Sequence, residues 1–297
     1  MKDLVLIPTY TRPEYLYLCL EYLANSERTS SEKEFWICQD FRQNDDHRYR
    51  MIFNWTNEVI ERFRGPLNIQ KFTTNPHVYE GNTFNVLESY RRAISTDARY
   101  IYLVEDDVLV RPDFFRWHEA AQEVEPETMC SIAYRCSRNH EARTDVTDPE
   151  AYFTTARDYA SIGVCWKKEN LLPVVEHATH AYYANLDGYM LKTFPGNRFA
   201  DCFCEQDGLI MRLLWQQKAF TTWCYTPRSF HLGFYGYHRP NGKRPDGFWE
   251  QKVGMLKSLI SDPERLKIAA PDYGDVEIYP TQPPQLWQTL HKLQHFD

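Results

Sequence analysis

The stretch of residues 100–110 constrains the fold of this chain more than any other. An unbroken apolar run at its start leads directly into three consecutive carboxylates, at positions 105–107, and a second short apolar run follows them. A continuous apolar run of this length predicts a strand that is buried on both faces, as in a parallel sheet. The chain therefore has to place three acids at the carboxyl end of a core strand.

The acidic triplet, Glu105-Asp106-Asp107, has two interpretations. Neighbouring carboxylates repel one another, and their burial costs free energy unless a positive group lies between them. Ligands of open α/β sheets bind outside the carboxyl ends of the strands. Carboxylate oxygens suit Mg²⁺ or Mn²⁺, which complete their coordination shell with substrate phosphates and water. The sequence thus predicts a site for a divalent ion and a diphosphate, and the alternative is a solvated acidic turn.

Through about residue 115, segments that predict strands alternate with amphipathic segments that predict helices. Strands are predicted at 4–7, 34–40, 68–72 and 100–104, and helices at 13–25, 47–64 and 83–95. This alternation predicts a doubly wound α/β sheet. After a helix at 111–124 the regular alternation stops. Strands are predicted at 128–134, 152–155, 162–166 and 223–225, so the second half is expected to be α+β.

Further acids stand where the predicted sheet would present a ligand site. Asp40 ends the second strand, where it either caps a turn or accepts hydrogen bonds from a base or ribose. Glu205 and Asp207 lie in the first turn of a later helix, and are either acids favoured by the helix dipole or a general base facing a cleft. Gly81 and Asn82 precede the third predicted helix, where an anion could meet the helix N–H groups.

The segment 229–240 combines two His, two Gly and four aromatic residues. Arg239, Lys243 and Arg244 then supply three cations with no acid among them. They form either a solvated basic turn or a loop that closes over a phosphate. A helix is predicted at 248–260, followed by a proline-rich extended tail and a last helix at 285–293.

Charge and hydropathy exclude some classes of protein. The net charge is −7 at pH 7, which argues against a mainly polyanionic partner. No window reaches the ~18 apolar residues that a membrane span needs, and the start of the chain does not resemble a signal peptide. The expectation is a cytoplasmic protein, in a bacterium or in the host of a phage that encodes it, with its eight cysteines reduced.

In this order and spacing, the motifs resemble those of a GT-A fold glycosyltransferase of the family 2-like, nucleotide-sugar-dependent kind. The resemblance covers about residues 4–238. It is carried by LVLIPTYTRP at 4–13, Asp40, the acidic triplet as an Asp-x-Asp-type motif with Glu first, EQDG at 205–208 and HLGFYG at 231–236. It implies a mixed, mostly parallel sheet flanked by helices. Residues 1–240 would form the glycosyltransferase domain, with 1–115 binding the nucleotide sugar and 116–240 on the acceptor side. Residues 241–297 would form a C-terminal helix and tail packed on it.

The resemblance also implies roles for individual residues. Asp107 would bind Mn²⁺ or Mg²⁺, with His231 completing the metal site, and Glu105 or Asp106 would face the ribose or a metal-bound water. Asp207 or Glu205 would be the catalytic base, with Asp207 favoured. The nucleotide-sugar site would be lined by Pro8, Thr9, Tyr10, Arg12, Asp40 and Asn82, with Arg239 and Lys243 closing over the diphosphate.

The expected activity is metal-dependent transfer of a sugar from a nucleoside-diphosphate sugar, with a UDP-sugar favoured, to an acceptor hydroxyl. The acceptor stays open between a glycan, a small molecule, a protein and a hydroxymethylated pyrimidine in DNA, for which an Arg-rich loop at 135–143 would be the contact. Inversion and retention both stay open. The alternative is a catalytically inactive protein that binds nucleotide sugars. A nucleotidyltransferase is disfavoured, because residues 8–13 supply no Gly-rich loop.

Overall fold

The computed structural model describes residues 2–27, 29, 31–41, 47–73, 79, 81–134, 152–156, 158–196 and 204–231, together with the backbone strands at 266–270 and 274–278. Several predicted features lie outside these residues: Arg239, Lys243 and Arg244, the loop at 135–143, and the helices at 248–260 and 285–293. Within the described ranges, no helix has both the length and the apolar character needed to cross a membrane.

The first part of the chain alternates strands and helices as predicted. Its elements are β1 (Lys2–Thr9), α1 (Pro13–Ala24), β2 (Glu32–Gln39), α2 (His47–Arg62), β3 (Asn68–Thr73), α3 (Asn82–Ile94), β4 (Tyr100–Leu103), β5 (Val108–Val110) and α4 (Phe114–Val124). Each predicted boundary in this part lies within a few residues of the observed one.

The second part has shorter strands and a group of helices that the sequence did not predict. Its elements are β6 (Cys130–Ile132), β7 (Tyr152–Thr155), β8 (Val164–Lys167), α5 (Lys168–Glu176), α6 (His180–Ala184), α7 (Leu186–Thr193), α8 (Gln206–Gln217), β9 (Thr221–Cys224), β10 (Ser229–His231), β11 (Leu266–Ala270) and β12 (Gly274–Ile278). The unpredicted helices are α5, α6 and α7.

One eight-stranded sheet, in the order β3-β2-β1-β4-β8-β6-β9-β7, organises the described part of the chain. Strands β3, β2, β1 and β4 run parallel to one another. Strand β8 is antiparallel to both β4 and β6, β6 is parallel to β9, and β7 is antiparallel to β9. The predicted α/β fold, with a mixed and mostly parallel sheet flanked by helices, is confirmed.

Strand β1 is the centre of the core because both of its faces are buried. Val5 and Ile7 pack on one face with residues of α1, α2 and α4, whereas Leu4 and Leu6 pack on the other with residues of α3, α5 and α8. This division follows from the alternation of side chains along a strand. With helices on both faces, a ligand can reach β1 only at its ends.

The carboxyl end of β1 lies between two acidic segments. Backbone hydrogen bonds continue past the regular strands: the Asp40 N–H donates to the Thr9 carbonyl over 2.8 Å, and the Asp106 N–H donates to the Pro8 carbonyl over 3.3 Å. The ends of β2 and β4 are thereby fixed on either side of residues 8 and 9. This arrangement places Asp40 and the acidic triplet at one edge of the sheet.

Candidate functional site

Asp106 is the anchor of the acidic triplet. It is fully buried, and its Oδ2 accepts a hydrogen bond from the Thr9 hydroxyl at 2.7 Å, while its Oδ1 accepts one from the Arg12 guanidinium. Burial raises the pKa of Asp106 to about 6, although Arg12 and Thr9 stabilise the carboxylate. Its contacts fit a residue that positions Thr9 and Arg12 better than one that faces a ligand.

Asp107 has one engaged oxygen and one open oxygen. Its Oδ2 accepts from the Arg12 guanidinium and lies 3.2 Å from Nε2 of His231. Its Oδ1 is buried and has no hydrogen-bond partner among the described residues. Burial alone would raise the pKa of Asp107, but Arg12 and His231 hold it well below its usual range. Asp107 is therefore an ionised carboxylate with one oxygen that the described residues do not engage.

His231 reaches Asp107 through a strand pairing that the sequence did not predict. Strand β10 pairs with β5 in antiparallel register, which sets His231 opposite Val108, the residue that follows Asp107. Burial would lower the pKa of His231, but the Asp107 carboxylate raises it above its ordinary value. The structure thus brings together the two residues that were predicted to hold a metal ion.

The described residues fit a divalent ion only in part. No group of three or more His, Cys, Asp or Glu side chains in the described ranges is arranged to hold a metal ion. Asp107 and His231 supply two side chains, and the open Oδ1 of Asp107 supplies a hard oxygen ligand. Mg²⁺ is commonly held by one or two carboxylates and completed by substrate phosphates and water. The site therefore suits an ion that arrives with a diphosphate.

Glu105 differs from its two neighbours. It is half-buried, and burial raises its pKa to about 8, with Asp107 and Asp207 adding to the effect while Arg12 and Ser161 oppose it. Glu105 therefore keeps its proton more readily than Asp106 and Asp107 do, and in its protonated form it is a hydrogen-bond donor.

The second acidic cluster lies beside the first. Asp207 stands in the first turn of α8, where its Oδ2 accepts a hydrogen bond from the Ser161 hydroxyl at 3.4 Å. It is close enough to Glu105 for its negative charge to raise the pKa of Glu105. Its Oδ1 is buried without a hydrogen-bond partner in the part of the chain that the structure describes. Burial raises the pKa of Asp207 to about 6, against the hydrogen bonds from Ser161. Glu205 occupies the N-cap position, and its side chain is exposed.

Asp40 contacts the start of α3. It is buried, and its Oδ2 accepts from the backbone N–H of Gly81 at 3.2 Å, where Gly81 caps the helix with φ 101°. Only glycine adopts this backbone region at little cost. The helix start that was predicted to meet an anion therefore meets the Asp40 carboxylate, with Asn82 as the next residue.

The remaining predicted residues line the end of β1. Pro8 and Thr9 are buried, and Tyr10 is half-buried against the core. Three features of the site had no signal in the sequence: the fork of Arg12 onto Asp106 and Asp107, the contact of Ser161 with Asp207, and the hydrogen bond from Thr83 to Gln206 at 2.8 Å that joins the starts of α3 and α8. Each depends on long-range packing and on no local motif.

Comparisons with known proteins give low similarity throughout. No family model matches this chain, and no curated protein matches it. Among solved structures it is similar to residues 1–349 of S. aureus TarS, with 12% identity, a TM-score of 0.46 and coverage of 86% of this chain and 65% of that one. The same TarS fragment in complex with UDP-GlcNAc gives 14% identity, a TM-score of 0.41 and coverage of 58% and 46%.

An active-site mutant of LgtC is also similar, with 11% identity, a TM-score of 0.42 and coverage of 72% of this chain and 70% of that one. The chain spans between 39% and 65% of the length of the TarS chains to which it is similar.

Proposed function

We propose that this chain is a metal-dependent glycosyltransferase that moves a sugar from a nucleoside-diphosphate sugar, with a UDP-sugar favoured, to an acceptor hydroxyl. One observation carries the proposal. At a single edge of the sheet, Asp107 and His231 lie 3.2 Å apart with an open carboxylate oxygen, and Asp207 stands close enough to raise the pKa of Glu105. An inverting transfer of this kind needs a group that receives a cation and a group that receives a proton, whereas a retaining transfer can dispense with the second group.

The donor would bind at the end of β1. Pro8, Thr9, Tyr10 and Asp40 line the place where a base and ribose would lie, and the start of α3 with Asn82 closes one side of it. Asp106 would position this segment through its hydrogen bond from Thr9. Arg239 and Lys243 lie outside the described residues, and we retain them as candidates for a loop that closes over the diphosphate.

The departing diphosphate gains negative charge as the glycosidic carbon–oxygen bond breaks. Mn²⁺ or Mg²⁺, held by Asp107 and His231, would supply electrostatic stabilisation of that charge. Asp107 suits this role because it stays ionised, and His231 keeps its orientation through the contact with the same carboxylate.

Asp207 is the proposed base. As the acceptor oxygen forms its bond to the sugar carbon, the hydroxyl proton passes to Asp207 and the nucleoside diphosphate leaves. A pKa of about 6 leaves Asp207 ionised at neutral pH yet more basic than an ordinary carboxylate, and Ser161 fixes its orientation. Glu205 is the alternative base, but its side chain is exposed.

The test is a panel of nucleoside-diphosphate sugars with Mn²⁺, read by the release of nucleoside diphosphate. Asp107→Asn should abolish release and Mn²⁺-dependent nucleotide binding in a protein that still folds, as its circular dichroism spectrum would show. Full activity of this variant, or full wild-type activity in EDTA, would contradict the metal role. Asp207→Asn should lose turnover and still bind the donor, whereas Glu205→Gln should keep most of its turnover.

The acceptor is to be found by a screen of glycans, small hydroxylated molecules, proteins and hydroxymethylated DNA with the donor that the panel identifies. A second candidate function is binding of a nucleotide sugar without catalysis. It is favoured by the partial metal site, in which the described residues supply no more than two ligands. Stabilisation by UDP and Mn²⁺ in a thermal shift assay, without release or transfer from any donor, would support that alternative.

A further inference from the structure

Arg12 is the cation that balances the acidic triplet in this structure. It stands directly before α1, and its side-chain nitrogens donate to both Asp106 and Asp107. The guanidinium also lies over the Tyr15 ring, 5.4 Å from its centroid. An arginine fork held by two carboxylates and an aromatic face is strongly oriented, and it stays charged at any pH that the protein meets. The Arg12 guanidinium is therefore a fixed counter-ion for the Asp106 and Asp107 carboxylates.

This counter-ion uses the same carboxylate that a divalent ion would need. Arg12 and His231 both contact Oδ2 of Asp107, so within the described part of the chain only Oδ1 of that carboxylate has no partner. An ion on Oδ1 would share one small anion with a guanidinium and would be repelled by it. This repulsion between like charges would be strong, because the Asp107 side chain is only 5% exposed and little water is present to screen it. Arg12 should therefore weaken the binding of a divalent ion to the free protein.

A diphosphate would relieve this conflict. Its oxygens are the anionic partners that a guanidinium fork prefers, and they also complete the shell of Mg²⁺ or Mn²⁺. With 20% of its side chain exposed, Arg12 lies at the boundary between the buried acids and the open edge of the sheet. Its fork can turn toward the diphosphate while the arriving ion neutralises Asp107 and the Thr9 hydroxyl keeps its hydrogen bond to Asp106.

We propose that Arg12 makes divalent-ion binding depend on the donor: it occupies the acidic triplet while no nucleoside diphosphate is bound, and it passes its hydrogen bonds to the diphosphate when donor and ion bind together. This inference rests on the proposed function and adds a regulatory residue to that site. Because linkage is reciprocal, the same exchange makes nucleotide binding depend on the ion.

The experiment measures Mn²⁺ affinity directly, by the loss of the free-ion electron paramagnetic resonance signal, with no sugar donor present. Removal of the competing charge in Arg12→Gln should tighten Mn²⁺ binding to the free protein by about tenfold. UDP should tighten Mn²⁺ binding to the wild type much more than to Arg12→Gln. Arg116→Gln, which removes an equal charge from the surface of α4 where 54% of the Arg116 side chain is exposed, should leave both affinities unchanged.

Equal Mn²⁺ affinities of the free wild type and Arg12→Gln would overturn the inference, and so would undetectable binding to both. A wild type that transfers sugar in Mn²⁺ but gives equal affinities would overturn only the role of Arg12 and leave the proposed function intact. If Arg12→Gln fails to fold, Arg12→Lys decides, because it keeps the charge but loses the fork that would pass to the diphosphate. UDP should then tighten Mn²⁺ binding to Arg12→Lys less than to the wild type, and an equal gain from UDP overturns the exchange.

Discussion

Asp207→Asn should make the protein more stable at neutral pH while it removes the proposed base. Burial raises the pKa of Asp207 from an ordinary 3.8 to about 6, so the folded state binds the proton more tightly than the unfolded state does. The stability that this group contributes is fully present below pH 3.8 and is lost as the pH rises through 6. Ionised Asp207 therefore destabilises the folded protein above pH 6.

The size of the penalty follows from the difference between the two pKa values. About two pH units at 1.36 kcal/mol each give a cost of about 3 kcal/mol at pH 7.5, and the same linkage gives about 1 kcal/mol at pH 4.5. These are upper limits, because Asp207 is only half-buried by its surface area and the site can relax. At about 2 °C per kcal/mol for a chain of this size, the variant should unfold up to about 6 °C higher at pH 7.5.

Thermal unfolding of both proteins at pH 7.5 and pH 4.5 tests this reasoning. The gain from Asp207→Asn should shrink about threefold at the lower pH. Glu205→Gln is the matched control, since it removes an exposed carboxylate from the same helix start and should shift the unfolding temperature by less than about 2 °C. No gain at pH 7.5, or a gain that does not change with pH, would refute the assignment of a burial-raised pKa to Asp207. If Asp207 is the base, wild-type kcat/KM should also fall about tenfold per pH unit below pH 6.

Two substitutions test the scaffold of the site. Gly163→Ala should lower the free energy of unfolding by about 2–4 kcal/mol, because φ is +67° and the new Cβ would lie 2.8 Å from Oγ of Ser229 on β10. Gly196→Ala, where φ is +70° and a Cβ would meet no atom within 4 Å, should lower it by only about 1 kcal/mol. Chemical denaturation compares the two variants, and equal losses would contradict the close approach at Gly163. Thr9→Val should lower the free energy of unfolding by about 1–3 kcal/mol, because it leaves the buried Oδ2 of Asp106 without its hydroxyl donor. An unchanged denaturation midpoint would show that this hydrogen bond does not stabilise the fold.

The first half of the fold was predictable because its signals are local. Strands β1, β2 and β4 contain apolar runs, and the edge strand β3 has two apolar residues, Ile69 and Phe72. The intervening helices have amphipathic patterns, so the alternation of elements indicated a parallel sheet. A parallel sheet gathers the carboxyl ends of its strands at one edge. The position of Asp40 and the acidic triplet at the same end of β1 followed from that rule, although they are 65 residues or more apart along the chain.

The second half was less predictable because its elements are stabilised by their neighbours. Helix α5 contains Pro173, and α6 is only five residues long, so neither shows a periodic pattern of useful length. Their starts carry better signals: Thr179 accepts a hydrogen bond from the Tyr182 N–H, and Asn185 accepts one from the Gly188 N–H at 2.9 Å. Attention to N-cap residues would have located α6 and α7.

The contact between His231 and Asp107 depends on a strand pairing that the sequence pattern does not indicate. The two residues were proposed as metal ligands on the strength of a resemblance, but no property of residues 229–231 indicated that they pair with residues 108–110. A three-residue strand gains its stability from the partner strand, so its register is determined only once the sheet has formed. The same holds for Arg12, whose side chain could be placed near the nucleotide site from its position after β1 but not onto both carboxylates.

The electrostatics of the site connect these observations. Burial raises the pKa of Glu105, Asp106 and Asp207, so each of these groups is held in the folded protein at a cost to stability. Of the four acids 105, 106, 107 and 207, Asp107 is the one that is stabilised in its charged form, and it is stabilised by Arg12 and His231. Within the described part of the chain, these four carboxyl groups therefore face two cationic side chains at this edge of the sheet. A divalent ion accompanied by a diphosphate has the charge and the ligand preferences to complete such a site, whereas a neutral ligand would leave the repulsion in place.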